Sequence, residues 1–248
     1  MEDKLIFIIK FGELEHLKLL REGKLYCKNL KYYNDMEIKT GDREMGDYLD
    51  GKLKINDITT CKMYDYETKE IKDLDCKDIV ATFEDIDKMP VFCLTGVTLK
   101  ELDSIETNEN NVIKGKINLG NKLGKMGSND YWENGLLITN GTEFVNRIKN
   151  ACELNGISMR ADEVQYSDMN INYTDRIQSI TENVENVAFW KDNYYSYQHE
   201  WRFIFQNKRV IDDFTLDIGD ISDITKICNK EEIQELFEKD LIIEIVKR

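Results

Sequence analysis

The spacing of apolar and polar positions changes period repeatedly along this chain, and each change marks an element. Leu5–Phe11 is apolar, rich in isoleucine and closed by Gly12, the pattern of a buried strand. Glu13–Arg21 then places Leu14, Leu17 and Leu20 at helical spacing and ends at Gly23. Lys24–Asn29 reads as a second strand, and Lys31–Met36 as a short helical turn. Thr40–Gly51 reads as a loop with one short turn. Lys52–Asn56 and Ile79–Phe83 are predicted strands. Met89–Val97 is a stronger one, with Val91, Cys93 and Thr95 on one face and Phe92 and Leu94 on the other. Thr107–Asn111 reads as a loop tip, Asn121–Ser128 as a weak helix, and Leu136–Thr139 as a strand. Thr142–Leu154 is a predicted helix with Phe144, Ile148 and Ala151 on one face, Thr142 as cap and Asn155–Gly156 as stop. Asp162–Tyr166, Val210–Ile218 and Leu241–Val246 read as strands, and Thr174–Asn186 and Glu231–Lys239 as helices. Tyr197–Phe205 alternates most strictly and is predicted to be one strand.

These elements predict an α+β fold: one domain over 1–248, with mixed, largely antiparallel sheets and flanking helices. No internal repeat and no Pro-, Gly- or Ser-rich linker divides the chain.

Composition narrows the function. The net charge of −14 repels phosphate backbones and anionic membranes at long range, although 34 Lys and Arg leave room for a local basic groove. Six dispersed cysteines with no CxxC pair, and only two histidines, predict reduced thiols and no metal site. The longest apolar run, Leu5–Ile9, is too short to span a membrane. With an acidic start and no export signal, the expected location is the cytoplasm.

Three segments could carry chemistry. On a strand over Tyr197–Phe205, Gln198, Glu200 and Arg202 share one face, and Tyr197, His199, Trp201 and Phe203 the other. The aromatic face, with Trp201 and Phe203, is expected in the core. Gln198 and Glu200 are expected to reach a cleft. The plain alternative is a surface salt bridge between Glu200 and Arg202. The second segment is Gly41-Asp42-Arg43-Glu44 with Gly46-Asp47. There Arg43 could meet a phosphate, or the loop could simply be solvated. The third is the opening unit, where Tyr26 and Asn29 could line a pocket or act as ordinary strand residues, and His16 reads as a boundary histidine. Walker, GxGxxG, GxSxG and HExxH motifs do not occur.

Several of these segments, in order, resemble a large, poorly characterised bacterial family often encoded near phage-defence genes. They are Leu25–Asn29, Tyr32-Tyr33-Asn34-Asp35, Val91-Phe92-Cys93-Leu94, Phe189-Trp190-Lys191 and Tyr197-Gln198-His199-Glu200-Trp201-Arg202. The last is the specific one. It is also similar to the (E/Q)-x-E strand of ADP-ribosyltransferases. That resemblance implies an ADP-ribosyltransferase-like fold with NAD as substrate. Glu200 would stabilise the oxocarbenium-like ribose and Gln198 would face the acceptor. Lys10, Tyr26, Asn29, Arg43 and Arg202 would contact NAD. Lys10 stands nearest the Arg or His expected on the first strand. The implied partners are a nucleic-acid or protein acceptor and a neutralising antitoxin. Two alternatives stay open: a non-catalytic binding or sensing module of a defence system, and an NAD glycohydrolase using the same Glu200. Convergence of Glu200 and Tyr26 on one cleft would favour an enzyme.

Overall fold

The computed structural model describes residues 5–44, 46–107, 112–127 and 132–246. Its largest sheet has eight strands, all antiparallel. Six run in the order Met159–Glu163, Glu200–Phe205, Pro90–Thr98, Leu5–Phe11, Asn134–Ile138, Thr225–Asn229. The other two are Lys24–Asn29, which meets the Pro90 end of the central strand, and its partner Asp213–Asp217. With helices on both faces, the architecture is α+β.

The first two strands share one edge of the central strand and part around Cys93. Ile9 pairs with Thr95, whereas Lys28 and Asn29 pair with Val91 and Pro90. Lys10 fills the gap: its ammonium donates to the Cys93 carbonyl at 2.7 Å.

The alternation expected in the central strand holds. Phe92 and Leu94 pack with Phe203, Phe144 and Ile148 under the helices Leu14–Arg21 and Gly141–Leu154. Val91 faces the other way, toward Ile204, Val187 and Phe189. Phe7, Ile9 and Val97 on that face are covered by the helices Leu119–Gly127 and Lys230–Glu238.

Some boundaries move for local reasons. The helix expected from Thr142 starts at Gly141, because the Asn140 side chain accepts from the Glu143 N–H at 3.0 Å. The turn expected over Lys31–Met36 is a helix over Leu30–Thr40, capped by Asn29 and stopped by Gly41 at φ 68°. Leu14 stays largely exposed while Leu17 and Leu20 are buried. The loop tip at Thr107–Asn111 has Thr107 closing the strand Ser104–Thr107, and 108–111 lie outside the described residues, as does Ser128.

One feature has no counterpart in the sequence expectations. Between the paired strands Leu53–Ile55 and Ile79–Ala81 the chain extends into a second ladder, Cys61–Tyr64 with Ile71–Leu74. The Ile58 N–H donates to the Lys77 carbonyl at 2.8 Å and joins the two ladders into one long β-arm. No described helix is long and apolar enough to cross a membrane.

Candidate functional site

Tyr197–Phe205 is not one strand. Asn193–Gln198 forms a 3-10 turn, His199 takes a left-handed conformation at φ 43°, and the strand begins at Glu200. Side-chain anchors override the period-two pattern. The Asp192 carboxylate accepts from the Tyr194 N–H at 2.9 Å and starts the turn. The Tyr195 hydroxyl donates to the Gly46 carbonyl at 2.9 Å, and the Tyr194 and Tyr197 hydroxyls both donate to Glu44. The aromatic run is therefore fastened to the segment after Gly41.

Glu200 and Arg202 do share a face of the strand, but that face is closed. The Arg202 Nε donates to Glu200 Oε1 at 2.7 Å, and its two terminal nitrogens grip both oxygens of Asp50 at 2.7 and 2.9 Å. Lys191 Nζ donates to Glu200 Oε2 at 3.0 Å and to Gln198 Oε1 at 2.9 Å. Relative exposures are 1% for Arg202, 2% for Asp50, 5% for Glu200 and 6% for Lys191. The expectation that Glu200 reaches a cleft is therefore corrected. The reason is charge: at this depth a carboxylate needs partners, and these two cations supply them.

Electrostatics follow from the same contacts. Burial would raise the Glu200 pKa, but Arg202 and then Lys191 overcome it and hold the carboxyl well below the usual carboxylate range. Burial likewise opposes the charge of Lys191, and Glu200 leads in keeping its ammonium protonated. Asp47 is the carboxyl left over from this pairing. It is buried, its Oδ2 has no hydrogen-bond partner, and burial pushes its pKa up to about 7. Lys191 and Arg202 pull the other way, but their hydrogen bonds are spent on Glu200, Gln198, Asp50 and the Ala188 carbonyl. Cys93, opposite Arg202 on the central strand, has its thiol pushed up to about 12 by burial and then by Glu200. A saturated carboxylate, a protonated ammonium and a protonated thiol make a charge-balanced lock. It ties the 41–51 segment and the 184–192 segment to the sheet.

The remaining expected site residues lie apart from Glu200. Lys10 is on the opposite face, with its ammonium 5.2 Å from the centre of the Phe92 ring. Tyr26 is exposed and donates to Asp213 on the outer strand pair. Tyr26 and Glu200 therefore do not converge. Asn29 spends its side chain on the Tyr32 N–H and on the carbonyls of Val210 and Ile211. Arg43 stacks on Tyr194 at 4.2 Å and lies 3.8 Å from both Glu37 and Asp192. Gln198 alone joins Glu200, through Lys191. Phe203 is buried as expected, whereas Trp201 is half-buried. Trp201 lines a groove of about 350 Å³ with Leu5, Val145, Met159 and Ala161, on the face away from Glu200.

Sequence reasoning missed Asp50 as the partner of Arg202, although it had placed Asp47 in a candidate segment. Asp50 is not near Arg202 in the chain, and no local period marks it. Sequence reasoning found the inner strands of the β-arm, Leu53–Ile55 and Ile79–Ala81, but missed its outer ladder, Cys61–Tyr64 with Ile71–Leu74, whose alternation is masked because both faces are exposed. Met63 is 47% exposed, Tyr66 79% and Ile71 66%, with Tyr64 and Leu74 also exposed. No family model matches this chain, and neither a curated protein nor a solved structure matches it.

Proposed function

We propose that this chain is a non-catalytic binding module, of the kind a defence system uses to hold or sense a partner, and that the β-arm makes the contact. The observation that carries this reading is the set of exposed apolar side chains along the arm, Tyr64 and Ile71 on one face, Met63 and Leu74 on the other, and Tyr66 beyond them. Large apolar groups grouped on a surface mark an interaction site. Each arm strand also has a free edge among the described residues, able to pair with an extended segment. Residues 57–78 carry seven acids and four lysines. With a chain charge of −14, a second copy is repelled, and a different protein with a basic extended segment is favoured.

A second reading, NAD-dependent ADP-ribosyl transfer or NAD hydrolysis on an ADP-ribosyltransferase-like fold, is favoured by one observation. Gln198 and Glu200 meet on a single Lys191 ammonium. In that reading the 41–51 segment must move to admit NAD, and the acceptor is a protein or a nucleic acid. Against it, both Glu200 oxygens already accept from cations, which offset the negative charge a ribosyl cation would need.

One experiment separates the two. Wild type, a Met63→Asp/Ile71→Asp variant and Glu200→Gln are each immobilised and exposed to bacterial lysate containing labelled NAD. The binding reading expects salt-sensitive capture of a basic protein by wild type, loss of capture in the arm variant, and no label transfer. Equal capture by the arm variant ends the arm as the contact. Label transfer by wild type, lost in Glu200→Gln protein whose melting curve shows it folded, establishes the transferase instead.

A further inference from the structure

Cys61 and Cys76 stand at the root of the β-arm, one on each side, and both are half-exposed. The pairing of Cys61 with Leu74 and the bond from Ile58 to Lys77 fix the register there. Cys76 lies two residues beyond Leu74, so it faces the same side of the arm as Cys61. Both cross-strand links share one register, which places Cys76 diagonally across from Cys61, and the Cys61 thiol raises the pKa of Cys76. Cys27, Cys152 and Cys228 are buried, and Cys93, half-exposed as a residue, turns its thiol toward the Glu200–Arg202 pair.

We propose that Cys61 and Cys76 form a reversible redox modification site, which a neutral hydroperoxide oxidises to an intramolecular disulfide stapling the root of the arm. The neighbours favour an uncharged oxidant. Asp75 and Asp78 flank Cys76 and repel anions such as glutathione disulfide, but not hydrogen peroxide. Cys61 and then burial raise the Cys76 pKa, which makes Cys76 the poorer first nucleophile. Cys61 is accordingly the attacking sulfur. Its thiolate attacks one peroxide oxygen, the O–O bond breaks, hydroxide leaves and Cys61 becomes a sulfenic acid. Cys76 then loses its proton and attacks the Cys61 sulfur. The S–O bond breaks and the second oxygen departs as water. Two thiols lose one electron each, hydrogen peroxide takes both, and the products are one disulfide and two waters.

The test needs no partner, so its outcome is independent of the binding reading. The full chain is treated with graded hydrogen peroxide under native conditions, quenched by acid alkylation, digested and mapped by mass spectrometry. The expected first product is a peptide pair linked through Cys61 and Cys76. It should be reversed by dithiothreitol and appear at doses that leave the other four cysteines alkylatable. Cys76→Ser should abolish the link and leave a Cys61 sulfenic acid that dimedone traps. Both cysteines lie outside the core, and a melting curve matching wild type verifies the fold of the variant. Independent oxidation of Cys61 and Cys76 with no linked peptide overturns the proposal. So does a link found only between two chains.

Discussion

The Arg202 cluster and the β-arm are both dense in charge, yet they use it in opposite ways. Inside, Arg202 and Asp50 meet at 2.7 Å with exposures of 1% and 2%. On the arm, Lys62 and Asp73 face each other at 3.8 Å with exposures of 62% and 81%. Water screens the second pair, so it contributes roughly 0–1 kcal/mol. The first pair exists because neither charge could stay buried alone. Charge in the cluster therefore specifies which segments lie on the sheet. Charge on the arm stays solvated beside exposed apolar side chains and, in the binding reading, selects what approaches it.

The sharpest way to break this contrast is to remove one partner from the interior. Arg202→Leu leaves Asp50 and Glu200 buried with Lys191 alone between them. Chemical denaturation should show a loss of about 3–5 kcal/mol, or failure to fold. A loss below about 1 kcal/mol would mean that water reaches the cluster.

Glu200→Gln comes next. The amide keeps the shape but removes the charge that faces Arg202 and Lys191. A loss of about 2–4 kcal/mol is expected by the same denaturation measurement. This departs from the sequence reading, in which Glu200 lined an open cleft. An unchanged denaturation midpoint would restore that reading.

Asp47 gives the cluster a pH signature. Its carboxyl titrates at about 7 when folded, against roughly 3.9 for an unperturbed aspartate. The folded state therefore holds this proton more tightly than the unfolded state. Its contribution to stability is full below about pH 4 and is lost as pH rises through about 7. Asp47→Asn removes that loss. The variant should gain on wild type as pH rises from about 4 to 7, by up to about 4 kcal/mol. Urea midpoints across that range check it. Parallel curves for the two proteins would show that Asp47 is ionised throughout.

The contrast also explains what the sequence made legible. The strands Leu5–Phe11 and Lys24–Asn29, and the two faces of the central strand around Phe92 and Cys93, follow from apolar period alone. Such patterns are local and record a single buried face. Glu200 and Arg202 were legible as neighbours two apart, but their depth was not. Depth depends on Asp50, about 150 residues away, and on Lys191, brought in by the 3-10 turn. Only the end of that turn, Tyr197 and Gln198, was read as strand, because Tyr197 continues the alternation of Trp201 and Phe203 for a different reason, its anchor on Glu44. The outer ladder of the arm left the weakest trace. A ladder with both faces in water has no period to record.

The smallest expected effect lies on the arm and sharpens the comparison from its other side. Ile71 is 66% exposed, so Ile71→Asp removes little buried apolar surface and adds a charge already in water. Cross-strand contact with Tyr64 is lost, at a cost of a few tenths of a kcal/mol to the arm. The global unfolding free energy should therefore move by about 0.5 kcal/mol or less. Hydrogen exchange is the more telling measurement. Amides of Cys61–Tyr64 and Ile71–Leu74 should exchange through local opening of the arm, well before those of the central strand Pro90–Thr98. Ile71→Asp should speed the arm amides and leave the central ones unchanged. If both sets slowed and quickened together, the arm would unfold only with the Arg202 cluster, and the two regions would be one cooperative unit.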